Sequence, residues 1–442
     1  MTPDDVLQRL EQLAGARMPT RYLVAYSGGL DSTVLLHALY QAGARAAPIV
    51  AVHVNHGLQP DAAAWERHCA RFAERLGVRY EARPIEIAAS DPRGVEAAAR
   101  EQRYAVLAEL AGPGDHVLTA HHEDDQAETL LLNLLRGSGT AGLAGIGAVQ
   151  PFGEGLLLRP LLGVPRREIE AYAAAHALEW CDDPSNADSR FDRNFLRREI
   201  LPALRRRWPA VSARLARSAE LLAEANALQG ELAALDLAVL GGDAARLDVE
   251  GLRRLPRARQ KNVLRHAIRR LGLRAAPSGR LEQAVRELLP ARPDAQPLVR
   301  WPGAELRRYR GSLYILPPVE YGLPAAGLVL RADGRPLRLG DSLGSLQLER
   351  AEAGGIDPRV VGDGLRVRFR AGGEALRPAG RGHTQRLKKL LQEHGVLPWM
   401  RECVPLLYAD GKLVAVADLW VAEEVVCAQG YRVRWMDRPP LF

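Results

Sequence analysis

The sequence predicts an α/β protein with a doubly wound parallel sheet in its first half, followed by a helical segment and a small α+β portion at the C-terminal end. Three observations carry this. From residue 1 to about 212, short apolar runs alternate with amphipathic helical ones, the order that builds βαβ units. From about 210 to 289, leucine and arginine recur at helical spacing, as in LARSAELLAEANALQGELAAL and ARQKNVLRHAIRRLGL. From about 365 onward, strand-like runs such as LRVRF and KLVAVADLWV surround the basic helical stretch TQRLKKLLQEHG.

The elements follow in order. Strands are expected over 22–26, 49–53, 80–85 and 116–120, and helices over 32–41, 62–76 and 95–111. Sheets of this kind bind ligands beyond the carboxyl ends of their strands. WPGAELRRYRGSLYILPP reads as a hairpin turning near Arg310 and Gly311. Residues 325–364 are rich in Gly, Asp and Pro with short alternating runs. The expected organisation is a catalytic α/β domain over 1–212, a mainly helical domain over 213–320, a linker with short strands over 321–364, and a C-terminal domain over 365–442.

With 442 residues the chain is long enough for several domains, each with its own core. Its four cysteines, Cys69, Cys181, Cys403 and Cys427, form no CxxC pair, which points to a reducing compartment and no structural metal. The N-terminal MTPDDVLQRLEQL is acidic, and no apolar run approaches the roughly 18 residues of a membrane span, so a cytoplasmic protein without a membrane partner is expected. The formal charge of +7 favours a polyanionic partner such as nucleic acid. A compositional bias toward arginine, with only four lysines in the chain, explains the same excess, and both readings stay open.

Chemistry gathers at a few loops. AYSGGLDSTVLL places a Gly-rich loop between a strand and a helix N-terminus, where backbone N–H groups and roughly half an elementary charge of helix dipole favour an anion such as phosphate. Neither GxxxxGK[ST] nor a strand-linked GxGxxG is present. An ordinary turn with Ser27 as helix N-cap is the competing reading. In TAHHEDDQAETLLLNLLRGSG, His121, Asp125 and Glu128 fall at i, i+4 and i+7, one polar stripe of a helix. The GSGTAG that follows comes after a helix, where a dinucleotide fingerprint demands a strand. HVNHGL ends a strand with His53, Asn55 and His56; VEAAAREQRY carries Glu96, Arg100 and Arg103 on one helix face; and DDPSNADSRFDRNFLRREI offers Arg193, Asn194 and Arg197. Each alone is compatible with a solvated or ion-paired surface.

Taken together, SGGLDS, HVNHGL, EAAAREQRY, TAHHEDDQAETLLLNLLRGSG, RPLL (159–162) and DPSNADSRFDRN resemble the PP-loop ATP pyrophosphatases, and within them the tRNA(Ile)-lysidine synthases. The resemblance resumes at RLKKLLQEHGVLPWMRECVPLLYADGKLVAVADLWV. It implies a PP-loop ATPase domain in which Ser27, Gly28, Gly29, Leu30, Asp31 and Ser32 hold ATP, Asp31 also meets Mg²⁺, and Val52 and His53 border the adenine. It further implies catalytic roles for Asp31, His121, Asp125, Glu128, Arg100 and Arg193, with the pairing of Arg100 against Arg103 left open. The implied reaction joins free L-lysine to the wobble cytidine of a CAU-anticodon isoleucine tRNA at the cost of ATP, with Asp125 or Glu128 as base. The implied partners are that tRNA, lysine and ATP, with a homodimer as a further candidate. A tRNA sulfurtransferase shares the loop, but such enzymes use CxxC pairs, which this chain does not supply.

Overall fold

A computed structural model describes residues 1–43, 47–57, 61–86, 95–183, 190–292, 295–319, 322–324, 327–352 and 354–441, which divide into two compact units, Met1–Gln229 and Gly230–Phe442. The first unit runs α1 (Pro3–Ala14), β1 (Tyr22–Ala25), α2 (Leu30–Gln41), β2 (Ile49–Asn55), α3 (Ala62–Leu76), β3 (Arg79–Pro84), α4 (Val95–Leu110), β4 (His116–Leu118) and α5 (Glu123–Leu135). It continues with α6 (Thr140–Leu143), β5 (Val149–Phe152), β6 (Gly155–Leu158), α7 (Arg166–Ala175), α8 (Asp192–Phe195), a π-helical turn (Leu196–Ile200), α9 (Leu201–Arg207) and the first part of α10 (Val211–Val239), whose last turns belong to the second unit.

The sheet order is β3-β2-β1-β4-β6-β5, with every neighbouring pair parallel except β5 on β6. The chain winds from β1 outward to β3 and then returns to lay β4 on the other flank of β1. That reversal puts the topological switch point between β1 and β4, where doubly wound sheets bind ligands. The doubly wound α/β class expected from the sequence is what forms; β5 and β6, each four residues long, are additional.

The strands alternate between two apolar layers, as period-two geometry requires. Tyr22 and Val24 of β1 pack in one layer with Leu10 of α1, Leu35 and Leu39 of α2 and Ile169 of α7. Leu23 packs in the other with Val50, Val52, Leu107, Val117 and Leu157. Helix α2 is covered almost all round, from Ser32 to Leu39, so the apolar run Val34–Leu36 and Ala38–Leu39 suits a central position. Leu35 and Leu36 are fully buried, and truncating either to alanine costs about 2–5 kcal/mol.

In the second unit, β7 (Arg246–Asp248), α11 (Val249–Arg254), α12 (Arg257–Arg270), α13 (Ser278–Gln283), β8 (Leu298–Trp301), β9 (Ala304–Tyr309) and β10 (Ser312–Leu316) form a helical region on an antiparallel sheet of order β7-β10-β9-β8. The expected hairpin is β9 and β10, and Arg310 sits in its turn at φ +53°. The sheet itself goes beyond that expectation, with β7 and β8 pairing on either side of the hairpin. Buried Glu305 accepts from Arg300 Nε (2.8 Å) and Arg307 Nε (2.5 Å), and Arg308 Nη1 donates to Leu288 O and Leu289 O at a helix end.

The C-terminal stretch adds β11 (Val329–Leu330), β12 (Leu337–Arg338), β13 (Ser345–Arg350), β14 (Gly355–Ile356), α14 (Pro358–Val361), β15 (Leu365–Arg368), β16 (Ala375–Leu376), β17 (Gln385–Arg386), α15 (Leu387–Glu393), β18 (Leu406–Ala409), β19 (Lys412–Val416), β20 (Trp420–Val421), β21 (Val426–Cys427) and β22 (Tyr431–Met436). Two five-stranded antiparallel sheets, β11-β15-β18-β19-β20 and β12-β13-β22-β14-β21, share a core that includes Leu346, Leu390, Val416 and Trp435. Residues from the 321–364 stretch thus supply strands to both sheets. In α15, Leu387, Leu390 and Leu391 are buried while Lys388 and Lys389 face outward. Among the described residues no helix is long and apolar enough to cross a membrane.

Candidate functional site

The carboxyl ends of β1, β2 and β4 open on a crevice of about 750 Å³, lined by the 27–32 loop, Val52, His53, Arg100, His121, Asp125, Arg193 and Arg197 among others. The loop is built by its own serines. Ser27 N donates to Ser32 Oγ (3.2 Å), the two hydroxyls lie 3.0 Å apart, and Ser32 Oγ also donates to Gly29 O (3.1 Å). Gly28 has φ +81°, and a Cβ there would lie 2.5 Å from both Cys69 Sγ and Trp65 Nε1, so only glycine lets the loop press against α3. Ser27 is not the helix N-cap, contrary to the ordinary-turn reading. Gly29 holds that position without a side-chain hydrogen bond, because the Ser27 hydroxyl turns toward Ser32 and Gly29 N. The first N–H groups of α2 therefore meet the crevice uncapped, the arrangement that suits a phosphate.

Val52 and His53, in the middle of β2, line the crevice beside this loop, both buried. His53 Nδ1 donates to Tyr26 O (3.0 Å), and burial pushes its pKa down, keeping the imidazole neutral.

After β4 the chain turns through Thr119 and His121 into α5. His121 is not on that helix: His122 is its N-cap, so the stripe expected of His121, Asp125 and Glu128 holds only for the two acids. His121 still reaches the crevice from the turn, where its Nδ1 lies 2.9 Å from Thr119 Oγ1. Burial pushes its pKa down to about 3, helped by the charges of Arg159, Arg100 and Arg193. His122 Nδ1 accepts from Asp124 N (3.2 Å), which leaves the proton of a neutral ring on Nε2, 3.7 Å from Asp31 Oδ2 and 3.5 Å from Asp125 Oδ2. His122 Nε2 thereby sits between the PP-loop acid and the acidic helix without a hydrogen bond to either. The doubled histidine was its only signal in the sequence.

Asp125 and Glu128 are knitted to two arginines four residues apart around the π-helical turn. Arg193 donates through Nη2 to Asp125 Oδ1 (2.7 Å) and through Nε to Glu128 Oε2 (2.8 Å). Arg197 donates through Nε to Glu128 Oε1 (2.6 Å) and through Nη2 to Glu128 Oε2 (2.9 Å) and Asp125 Oδ1 (3.2 Å). Single-turn π segments recur at functional sites. Burial alone raises the pKa of Asp125, but neighbouring His122 and Arg193, then His121 and Arg197, outweigh it and hold it at about 2. Glu128 is 0% exposed and lies behind the arginines, away from the crevice lining. Arg197, spaced i+4 from Arg193, is as much part of the lattice as Arg193 itself.

Arg100 and Arg103 both line the crevice, and the Arg100 guanidinium lies 5.4 Å from the Tyr104 ring centroid. The Glu96 side chain and residues 184–189 of DPSNADSRFDRN lie outside the described residues.

Burial pushes the pKa of Asp31 up, and its Oδ1 is buried with no hydrogen-bond partner. One such oxygen beside a phosphate-binding loop fits Mg²⁺, which takes one or two carboxylates and completes its shell with substrate phosphates and water.

Residues 3–204 match the PP-loop domain, 247–314 the TilS substrate binding domain and 365–435 the TilS substrate C-terminal domain. Among solved structures the chain is similar to the U34-tRNA thiolase NcsA from Methanococcus maripaludis, at 18% identity and a TM-score of 0.41 over 50% of this chain and 78% of that one. Curated proteins named tRNA(Ile)-lysidine synthase align along nearly the whole chain. The protein of Alkalilimnicola ehrlichii is 45% identical over 100% of this chain and 98% of its own length. That of Methylococcus capsulatus is 43% identical over 93% and 94%, and that of Coxiella burnetii 39% identical over 96% and 93%. With a PP-loop and an acidic helix meeting at one switch point, and relatives matched from end to end, the chain belongs to the tRNA(Ile)-lysidine synthase family, ligases that form lysidine on an isoleucine tRNA.

Proposed function

We propose that the crevice joins free lysine to C2 of the wobble cytidine of a CAU-anticodon isoleucine tRNA in two steps at one place. The 2-oxo group of the cytidine first attacks the α phosphate of ATP, releasing pyrophosphate, and the lysine ε-amine then displaces AMP. The observation that carries this reading is that the uncapped 27–32 loop and the Asp125 lattice open on the same space.

In the first step negative charge builds on the departing pyrophosphate. The amides of the 27–32 loop answer it, and Arg100 and Arg193 stand within the same crevice as cations for phosphate oxygens. Val52 and His53 border the adenine. Asp31 would hold Mg²⁺, which when bound supplies charge neutralisation on the phosphates.

In the second step an ammonium with a reference pKa near 10.4 must lose its proton, which costs about 4.6 kcal/mol at pH 7. Asp31 and Asp125 both line the crevice, among arginines, and are the carboxylates available to the ammonium of a cationic amino acid. Asp125, held at about 2, is a weak proton acceptor, and both Glu128 oxygens are occupied by arginines. Asp125 is therefore assigned selection and Glu128 positioning, and the ammonium proton leaves to water. Helix α12 and the lysines of α15 are the proposed tRNA contacts outside the first domain, with strong salt dependence expected of them.

The test is mass analysis of nucleosides after incubation with unmodified tRNA, ATP and labelled lysine. Lysidine should form with AMP and pyrophosphate in equal amounts. ATP consumption with no lysine in the RNA overturns the reading.

A further inference from the structure

The first unit holds a second recess, of about 380 Å³, that the reaction above does not use. It is bounded by Arg9 of α1, the turn after α6, Arg159 beyond β6, and Ala216 and Ala223 of α10. Arg159 opens the RPLL motif and takes no part in lining the crevice.

Arg159 is 5% exposed. Its Nη1 donates to Gly147 O (2.5 Å) and its backbone N–H to Ala148 O (3.0 Å), which pins the side chain against the turn. Its Nε is buried without a hydrogen-bond partner, and so is Nη1 of Arg9. Neither guanidinium forms an ion pair among the described residues. Glu220, the acid at the rim, is exposed and engaged by Arg217 at 3.0 Å. Buried polar groups ordinarily find partners, and buried charges ordinarily find opposite charges. Arg159 is a buried charge without an opposite one, and Arg9, half-buried with Asp5 one helical turn away, still buries an Nη1 that has no acceptor. What the pair lacks is an acceptor carrying about two negative charges, and the planar guanidinium fork is matched to oxyanions. A carboxylate supplies one charge; a phosphate monoester or inorganic phosphate supplies nearly two at neutral pH.

We propose that this recess is a binding site for a phosphate dianion, held by Arg9 and Arg159 over an apolar floor of Ile146, Pro160 and Leu162. The site is separate from the 27–32 loop and stands whether or not the crevice handles its substrates as described above.

The experiment is calorimetric titration of the full chain with inorganic phosphate while the crevice is saturated with a non-hydrolysable ATP analogue. One site is expected, absent when chloride of equal ionic strength replaces phosphate. Arg9→Gln, on the less buried wall, should weaken it at least tenfold with an unchanged thermal melt in phosphate-free buffer, and Arg159→Gln should do the same where it folds. Displacement of the phosphate by AMP assigns the site to a nucleotide's phosphate monoester; phosphate that AMP does not displace assigns it to the free ion. No binding by the wild-type chain, or equal binding by Arg9→Gln, overturns the proposal.

Discussion

Glu128→Gln removes one negative charge and almost no volume from the centre of the acid and arginine lattice. The native carboxylate is 0% exposed and accepts from Arg193 Nε, Arg197 Nε and Arg197 Nη2 at 2.8, 2.6 and 2.9 Å. A glutamine keeps one acceptor oxygen and turns an NH₂ toward a guanidinium that is itself only a donor, so at least one contact becomes donor against donor. Neutralising one partner of a buried pair costs about 3–5 kcal/mol. The Arg193 and Arg197 side chains are 24% and 32% exposed, so water recovers part of the loss and the lower end, about 3 kcal/mol, is expected. Urea unfolding of the full chain measures the stability, and lysidine formation measures the function. With its arginines released, the variant should also lose at least about 100-fold in rate, the scale of a misplaced catalytic group. Because Glu128 positions and does not accept the proton, the residual activity should keep the wild-type pH profile. A variant within about 0.5 kcal/mol of wild type, the range of an ordinary surface change, refutes the buried-lattice reasoning. A variant whose pH profile flattens refutes the assignment of Glu128 to positioning.

Three further outcomes follow from the same geometry. Gly28→Ala should destabilise by about 2 kcal/mol or more and weaken ATP binding, since it combines a left-handed φ with a 2.5 Å approach to Cys69 and Trp65; Gly29→Ala, whose Cβ meets nothing closer than 3.6 Å, should fold with near-native stability, and equal melting of the two variants counts against this. Asp31→Asn should abolish pyrophosphate release while leaving the melting temperature equal or higher, because it neutralises a buried oxygen without a partner; a clear loss of stability contradicts that account. Stability should fall in acid through two windows. The unfolded chain protonates His121 near its ordinary value while the folded chain resists down to about 3, and Asp125 resists down to about 2, so in both ranges the unfolded state binds more protons and loses less from acidification. Melts between pH 7 and 2 check the slope, and His121→Asn should flatten its upper part.

The period of the apolar runs was enough to place the first domain's strands and helices, because strands buried between two helical layers read as plain hydrophobic segments. It was enough as well to mark the loop after β1 and the turn after β4 as polar interruptions at strand ends. It missed β5, β6, β7 and β8, although β1 and β4, which it placed, are no longer, and it put His121 on a helix that begins two residues later, since spacing alone does not say which of two histidines caps.

What the sequence by itself determined was therefore local: which segments are extended or helical, where glycine and acid cluster, and that the motif set resembles one family. What only the tertiary structure decided was which of those groups face one another. Glu128 sits behind two arginines from a segment 65 residues and more away, His122 lies between Asp31 and Asp125, and Arg159 turns from the crevice to a second recess beside Arg9. The physical reason is that charge and hydrogen-bond energies depend on distances of a few ångströms and on exclusion from water, and both are set by how strands and helices far apart in the chain come to be packed.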